Sequence, residues 1–296
     1  MADTLTGSTV PRRQLGRYLR ELRTEAGLTI KDAARGLEWS ETKIWRIESG
    51  QTSLRSFDVE VMCRVYGAKA DITQVLMGLA SQTKARGWWQ AYGDAVPDWF
   101  DMYVGLEGAA NRLSFYGQEV VPGLFQTVRY AAVVITADHP DETAEETGRR
   151  VSLRIARQAV IRREIDRPEL QVALNESVLR RPVGGPAVMA EQLRHLAQAS
   201  GLPNVALRVV PFAVGYYPGI VTGSFVILRF PPGHGGQESE PPTVYKDTYT
   251  GALYLDKERE VTKYSEAFAG IWSQALDEPA SRELIQQAAE ELEREH

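Results

Sequence analysis

The chain has 296 residues, 43% of them hydrophobic and 25% charged, an ordinary balance for a soluble globular protein and enough length for two domains. No apolar run reaches the roughly 18 residues that span a bilayer, and the opening stretch MADTLTGSTVPRRQLG lacks the apolar core of a secretory signal. The one cysteine, Cys63, excludes an intrachain disulfide and a cysteine-based metal cluster, so a reducing cytoplasm is the expected setting. The formal net charge of −5 is uneven: residues 1–80 hold 12 Lys/Arg against 10 Asp/Glu, or +2, and the other 216 hold 22 against 29, or −7. Phosphate contact needs local positive charge, which the first segment can supply. The balance permits nucleic-acid binding without demanding it.

Residues 1–10 are small and polar and are expected to be disordered. From 11 to 27, PRRQLGRYLRELRTEAG sets Leu15, Leu19 and Leu22 on one helical face and arginines on the other, with Gly27 as the stop. Thr29 caps a second helix over 30–37, with Asp32 as its capping-box partner. Ser40 caps a third over 41–48, closed by Gly50. Ser56 opens a fourth, whose apolar face is Val59, Met62, Cys63 and Tyr66, and a fifth follows near 72–80. Five short helices thus form a bundle over 11–80. The segment 81–107, with Trp88, Trp89, Trp99, Phe100 and Tyr103, is too aromatic for a flexible linker. It is expected to pack on the larger domain, 108–296.

That larger domain reads as α+β with a small mixed or antiparallel sheet. Helices are predicted at 126–138, 142–166, 186–200, 257–276 and 280–294, and strands at 170–176, 205–212, 224–230 and 243–247. The last three strands suggest an antiparallel meander, and 170–212 reads as one parallel crossover. The Pro/Gly loop 231–242 is expected to be mobile. The stretch PFAVGYYPGIVTG at 211–223 is either a lid over a pocket or a hairpin connection.

Two helices joined through Gly36–Ser40, with a supporting helix before and two after, have the layout of a helix-turn-helix domain. In that geometry the start of the second helix enters the major groove. Ser40, Glu41, Thr42 and Lys43 then face base edges, with Arg46 one turn further, while Ile44 and Ile47 turn inward against Ala33, Ala34 and Leu37. Thr42 and Lys43 can hydrogen-bond bases or phosphate, Glu41 can accept from cytosine, and Arg46 can reach guanine or the backbone. Thr29 offers helix N-terminal N–H groups to a phosphate, and Lys31, Gln51, Ser53 and Arg55 are further backbone contacts. Trp45 falls at the flank, where packing on the first helix or a sugar-phosphate edge is expected ahead of a base contact. The competing reading is a helical protein-interaction bundle with a solvated charged face.

The stretch LRELRTEAGLTIKDAARGLEWSETKIWRIESG resembles the XRE family of phage-repressor-type helix-turn-helix proteins. The resemblance implies a five-helix DNA-binding domain, acting as a homodimer on an inverted repeat in double-stranded DNA. It also implies that Arg23 pairs with Glu48 as a structural tie between helices. Further along, GWWQAYGDAVPDWFDMYVGLE, QEVVPGLFQTVRYA, NESVLRRPVGGPAVMAEQLRHL, NVALRVVPF and TVYKDTYTGALYLD resemble the C-terminal domain of unknown function in actinobacterial WhiJ-like regulators. That likeness implies a regulator whose large domain senses a small-molecule effector or a small partner protein encoded nearby. It also carries an alternative: an antitoxin-like protein that sequesters such a partner, DNA binding serving autoregulation.

Catalysis is not expected. His139, His195, His234 and His296 show no metal-ligand spacing, and the Glu176–Ser177 pair has no nucleophile elbow or assigned base. No cofactor or metal is implied. Arg150, Arg154 and Arg157 follow helical spacing and read either as an anion-binding surface or, the favoured alternative beside Glu146, Glu164 and Asp166, as a solvated face.

Overall fold

The computed structural model describes residues 9–83, 87–96, 98–232, 240–249 and 251–294. The chain divides into two units, one built from the residues up to Ala91 together with Asp101–Ala109, the other from Tyr92–Phe100 and the residues from Ala110 onward.

The first unit holds α1 (Thr9–Glu25), α2 (Ile30–Leu37), α3 (Glu41–Glu48), α4 (Ser56–Val65) and α5 (Ala70–Gln82). Helix α1 starts two residues before Pro11, and Gly27 ends it with φ +69°, a conformation glycine takes without a Cβ penalty. Leu15 and Leu19, one turn apart, are buried with Ala33, Ile44, Ile47, Val59, Met62 and Cys63 in one cluster. Crossing α1 over α3 requires Gly16, because a Cβ there would stand 2.6 Å from the Ile47 carbonyl oxygen and 2.8 Å from that of Glu48. Gly16→Ala is therefore expected to destabilise by about 1–2 kcal/mol through backbone displacement, despite alanine's better helix propensity. Gly78→Ala in α5 meets nothing within 4 Å and is expected to gain about 0.5–1 kcal/mol. Urea unfolding of the two variants checks the opposite signs.

The connector divides: Tyr92–Phe100 cluster with the larger unit, as expected of the whole segment, and its two ends with the first. Helix α6 (Asp98–Ala109) gives Asp101 to Arg12 at 2.8 Å and to the Trp89 indole N–H at 2.5 Å. Met102 Sδ lies 3.6 Å from an Arg13 guanidinium nitrogen, and a Cβ on Gly105 would collide with Thr9. Trp89 and Asp101–Ala109 thus belong with the first unit, not the larger domain. The Arg12 guanidinium and the Trp89 indole N–H need an acceptor when half-buried, and Asp101 supplies it.

In the second unit the order is β1 (Arg112–Gly117), α7 (Val128–Asp138), α8 (Ala144–Arg157), α9 (Ala159–Arg162), β2 (Glu169–Asn175), α10 (Ser177–Arg180), α11 (Pro186–Ala199) and β3 (Val205–Val210). There follow α12 (Pro218–Thr222), β4 (Phe225–Arg229), β5 (Thr243–Thr248), β6 (Gly251–Leu255), α13 (Glu258–Gln274) and α14 (Glu278–Arg294). The sheet is mixed, in order β3-β2-β1-β4-β5-β6. Strands β1, β2 and β3 are parallel, and β1 through β4 and β5 to β6 are antiparallel. The 170–212 crossover is present as β2–α11–β3. The meander, however, is β4–β5–β6, and β3 lies at the opposite edge. Two strands the periodicity did not predict, β1 and β6, account for the difference: β1 takes the centre. The β3 edge is closed by α14's approach, the Val209 N–H donating to Ser281 Oγ and its carbonyl accepting from Leu276 N–H, both at 2.9 Å. One sheet face packs Tyr116, Ala173, Phe225, Ile227 and Val244 against Val261, Phe268 and Ile271 of α13.

Candidate nucleic-acid interface

Helices α2 and α3 each begin with a side-chain cap. The Ser40 hydroxyl accepts from Lys43 N–H at 3.2 Å, holding the first turn of α3. At α2, Thr29 Oγ1 accepts from Asp32 N–H while the Asp32 carboxylate accepts from Thr29 N–H, at 3.1 and 3.2 Å. The Thr29 hydroxyl also donates to that carboxylate at 2.5 Å, and this bond, then the one from the Thr29 N–H, holds the Asp32 carboxyl below its usual range. The Thr29 and Asp32 N–H groups are therefore taken by the cap, and a phosphate approaching there meets the Asp32 carboxylate.

Ile44, Ile47 and Glu48 are the buried side of α3, and Glu41, Thr42, Lys43, Trp45 and Arg46 are exposed. At 100° per residue, Thr42, Arg46 and Ser49 lie opposite that buried side. Lys43 lies on one flank, and Glu41 with Trp45 on the other. Thr29, Lys31, Ser40, Gln51, Ser53 and Arg55 are also exposed. Among the described residues no ion pair holds Glu41 or Arg46.

Lys43 is not free in the same way. Its ammonium sits 3.3 Å from the centroid of the Trp39 ring, a cation–π contact across the turn. The sequence reading missed Trp39, which precedes the cap of α3 and shares no helical spacing with Lys43. Trp45 meets nothing comparable: it is 51% exposed and stands outside the hydrophobic cluster.

Glu48 closes α3 from behind. Arg23 Nε donates to one Glu48 carboxylate oxygen at 2.6 Å and Nη2 to the other at 2.8 Å, while Nη1 donates to the Leu28 carbonyl at 2.7 Å. The hydrogen bond to Glu48, outweighing burial, raises the Arg23 guanidinium's pKa further above its already high value. The fork ties α1 both to the end of α3 and to the loop that opens α2.

In the second unit the Glu176–Ser177 pair is spent on structure. Glu176 accepts from Phe212 N–H at 2.9 Å and from Arg180 at 3.2 Å, and the Ser177 hydroxyl donates to the Gln118 carbonyl at 2.5 Å. Asn175 donates to the Tyr217 hydroxyl at 2.5 Å, which bonds Tyr116 at 2.8 Å. These bonds fasten the 211–223 segment, with its short helix α12, over the ends of β1 and β2. His139 and His195 stand on α7's end and α11; His234 and His296 lie outside the described residues, as does most of the 231–242 loop. Among the described residues no cluster of His, Cys, Asp or Glu could hold a metal.

The α8 arginines are not a solvated face. Arg150 forks onto Glu142 at 2.6–2.9 Å, and Arg154 donates to the buried Gln126 amide at 2.9 Å. Arg157 is buried with its guanidinium 4.8 Å from the Phe100 ring centroid. Burial, reinforced by the Arg157 charge, pulls the Arg154 guanidinium down to about 10. A groove of about 690 Å³ runs between α7, α11 and α14 past Thr127, Arg129, Glu191, Arg194, His195 and Glu293. Its charged lining is matched internally, Arg129 with Glu191 and Arg194 with Glu293.

A family model described as a domain of unknown function, DUF5753, matches residues 100–287, and one described as a helix-turn-helix domain matches residues 14–75. Neither a curated protein nor a solved structure gives a match. No described helix is long and apolar enough to cross a membrane.

Proposed function

Because the chain belongs to the DUF5753 family and carries a helix-turn-helix domain ahead of that region, we propose that it is a sequence-specific transcriptional regulator acting as a homodimer on an inverted repeat. The observation that carries the proposal is α3 itself: a serine-capped helix, pinned from behind by Ile44, Ile47 and Glu48, with Glu41, Thr42 and Arg46 exposed and unpaired. Side chains that are exposed, unpaired and held on a rigid helix are ready to hydrogen-bond base edges. In this reading Ser40, Glu41, Thr42 and Arg46 address bases, and Lys31, Gln51, Ser53 and Arg55 address phosphates. Lys43 can be released from Trp39 at a cost of about 0.5–1 kcal/mol. Thr29 acts as a cap alone.

The larger domain, in the same proposal, binds a partner protein or a small-molecule effector and does no chemistry of its own; Glu176 and Ser177, the pair best suited to chemistry, are engaged in structural hydrogen bonds. The charge partition supports this division of labour, +2 over residues 1–80 against −7 over the rest. The site of action is the cytoplasm. Selection of binding sites from random duplexes by the full-length chain tests the whole reading. A palindromic consensus, its half-sites one helical turn or a multiple apart, is the expected result. Recovery of no consensus removes the DNA-reading role, and a non-palindromic one removes the two-fold dimer.

A further inference from the structure

Trp45 is the feature of α3 that the reading above leaves unused. Its side chain is 51% exposed, belongs to no ring pair and has no hydrogen bond to the described residues. Exposed tryptophan on a rigid element is a costly way to build a surface, because a large apolar area stays in water. The charges on α3 decide which surface it suits. Glu41 precedes Trp45 by one turn and shares its flank, whereas Lys43 lies on the opposite flank. A phosphate ridge is drawn to the cationic side and repelled from the Glu41 side. The Glu41–Trp45 flank is thus the one suited to base edges, where cytosine presents an N4 donor to a carboxylate and thymine presents an apolar methyl.

We infer that Trp45 is a specificity residue whose indole covers the 5-methyl group of a thymine in each half-site. The inference rests on α3 lying in the major groove, and it goes beyond that reading by naming the base and the atom. It carries a particular consequence: removing one methyl from the DNA should mimic removing the indole from the protein.

The test uses the full-length chain and the duplex it selects, with each thymine of the half-site replaced in turn by deoxyuridine. Wild-type affinity is expected to fall about fourfold at one thymine position, the effect of uncovering one methyl-sized apolar group, and not at the others. Trp45→Ala is expected to bind the thymine duplex more weakly and to lose the thymine–uracil difference at that position, while Trp45→Phe retains part of it. Because Trp45 lies outside the core cluster, unchanged circular dichroism and melting are expected in both variants. The inference is overturned if no thymine is methyl-sensitive, or if Trp45→Ala keeps the same discrimination, as it would were the indole lying on the sugar-phosphate edge. A change in oligomeric state without loss of discrimination overturns it in favour of a protein contact. Recovery of no selected duplex at all overturns the DNA reading beneath it, a different and recognisable failure.

Discussion

Glu48→Ala is expected to destabilise the first unit by about 3–5 kcal/mol, the cost of leaving a buried guanidinium without its carboxylate. Arg23 and Glu48 have side chains only 10% and 4% exposed, and the fork between them is bidentate at 2.6 and 2.8 Å. After truncation Arg23 keeps its bond to the Leu28 carbonyl, which satisfies one donor and leaves the charge uncompensated. Replacing both residues by methionine is expected to cost much less than either single truncation, since a well-packed apolar pair avoids the desolvation that the ions suffer. Thermal and urea unfolding of the two single variants and the double variant form the cycle. A double variant as unstable as the singles combined would mean that packing volume, not charge pairing, is what the pair supplies. The loss also reaches function, because Glu48 is the last residue of the helix proposed to read DNA. Glu48→Ala should therefore bind DNA normally at low temperature and lose binding on warming well before the wild type does.

The first unit was legible because its signals are short-range. Thr29 with Asp32 and Ser40 with the Lys43 N–H are contacts over three residues, and Leu15 with Leu19 is one turn. The second unit was legible where a strand alternates or a helix runs long, and less so at its centre. Strand β1 is buried at every residue after Arg112, so it has no alternation to distinguish it from a piece of buried helix. The sheet order follows from that strand, and the meander was misplaced by its absence. The α8 arginines illustrate a second limit. Spacing identifies residues that share a side of a helix; whether that side meets solvent depends on what arrives from elsewhere, here Gln126 and Phe100. Nearby carboxylates suggested solvation, yet the fork on Arg150 comes from Glu142, ahead of the helix, and not from the neighbours that suggested it. The residues proposed to face DNA were chosen from position alone, and their exposure follows from the same periodicity that buries Ile44 and Ile47. The occupation of α2's N-terminus by Asp32 was also in the sequence, as the capping box, but it competes with the phosphate role that was assigned to the same N–H groups.

Arg46→Ala is expected to weaken binding to the selected duplex by about 1–3 kcal/mol if the guanidinium reads a base, and Lys43→Ala by less. The ordering comes from their different starting states. Arg46 has no ion pair among the described residues to give up, so its contact with DNA is gained in full apart from side-chain entropy. Lys43 must first leave the Trp39 face, 3.3 Å away, so part of its gain on DNA is offset by the contact it loses. Anisotropy titrations at several salt concentrations separate base from phosphate contact for each residue. A lost phosphate contact lowers the log–log salt slope by about 1, whereas a lost base contact shifts affinity at every salt concentration and relaxes discrimination at one position. For Arg46, opposite the buried side of α3 and in line with Thr42, the expected outcome is an unchanged slope with relaxed discrimination. Lys43, on the flank nearer a phosphate ridge, should lower the slope and leave the consensus intact. Should both variants bind the selected duplex as tightly as the wild type, α3 does not lie in the groove, and the exposed row of Glu41, Thr42 and Arg46 must serve another surface.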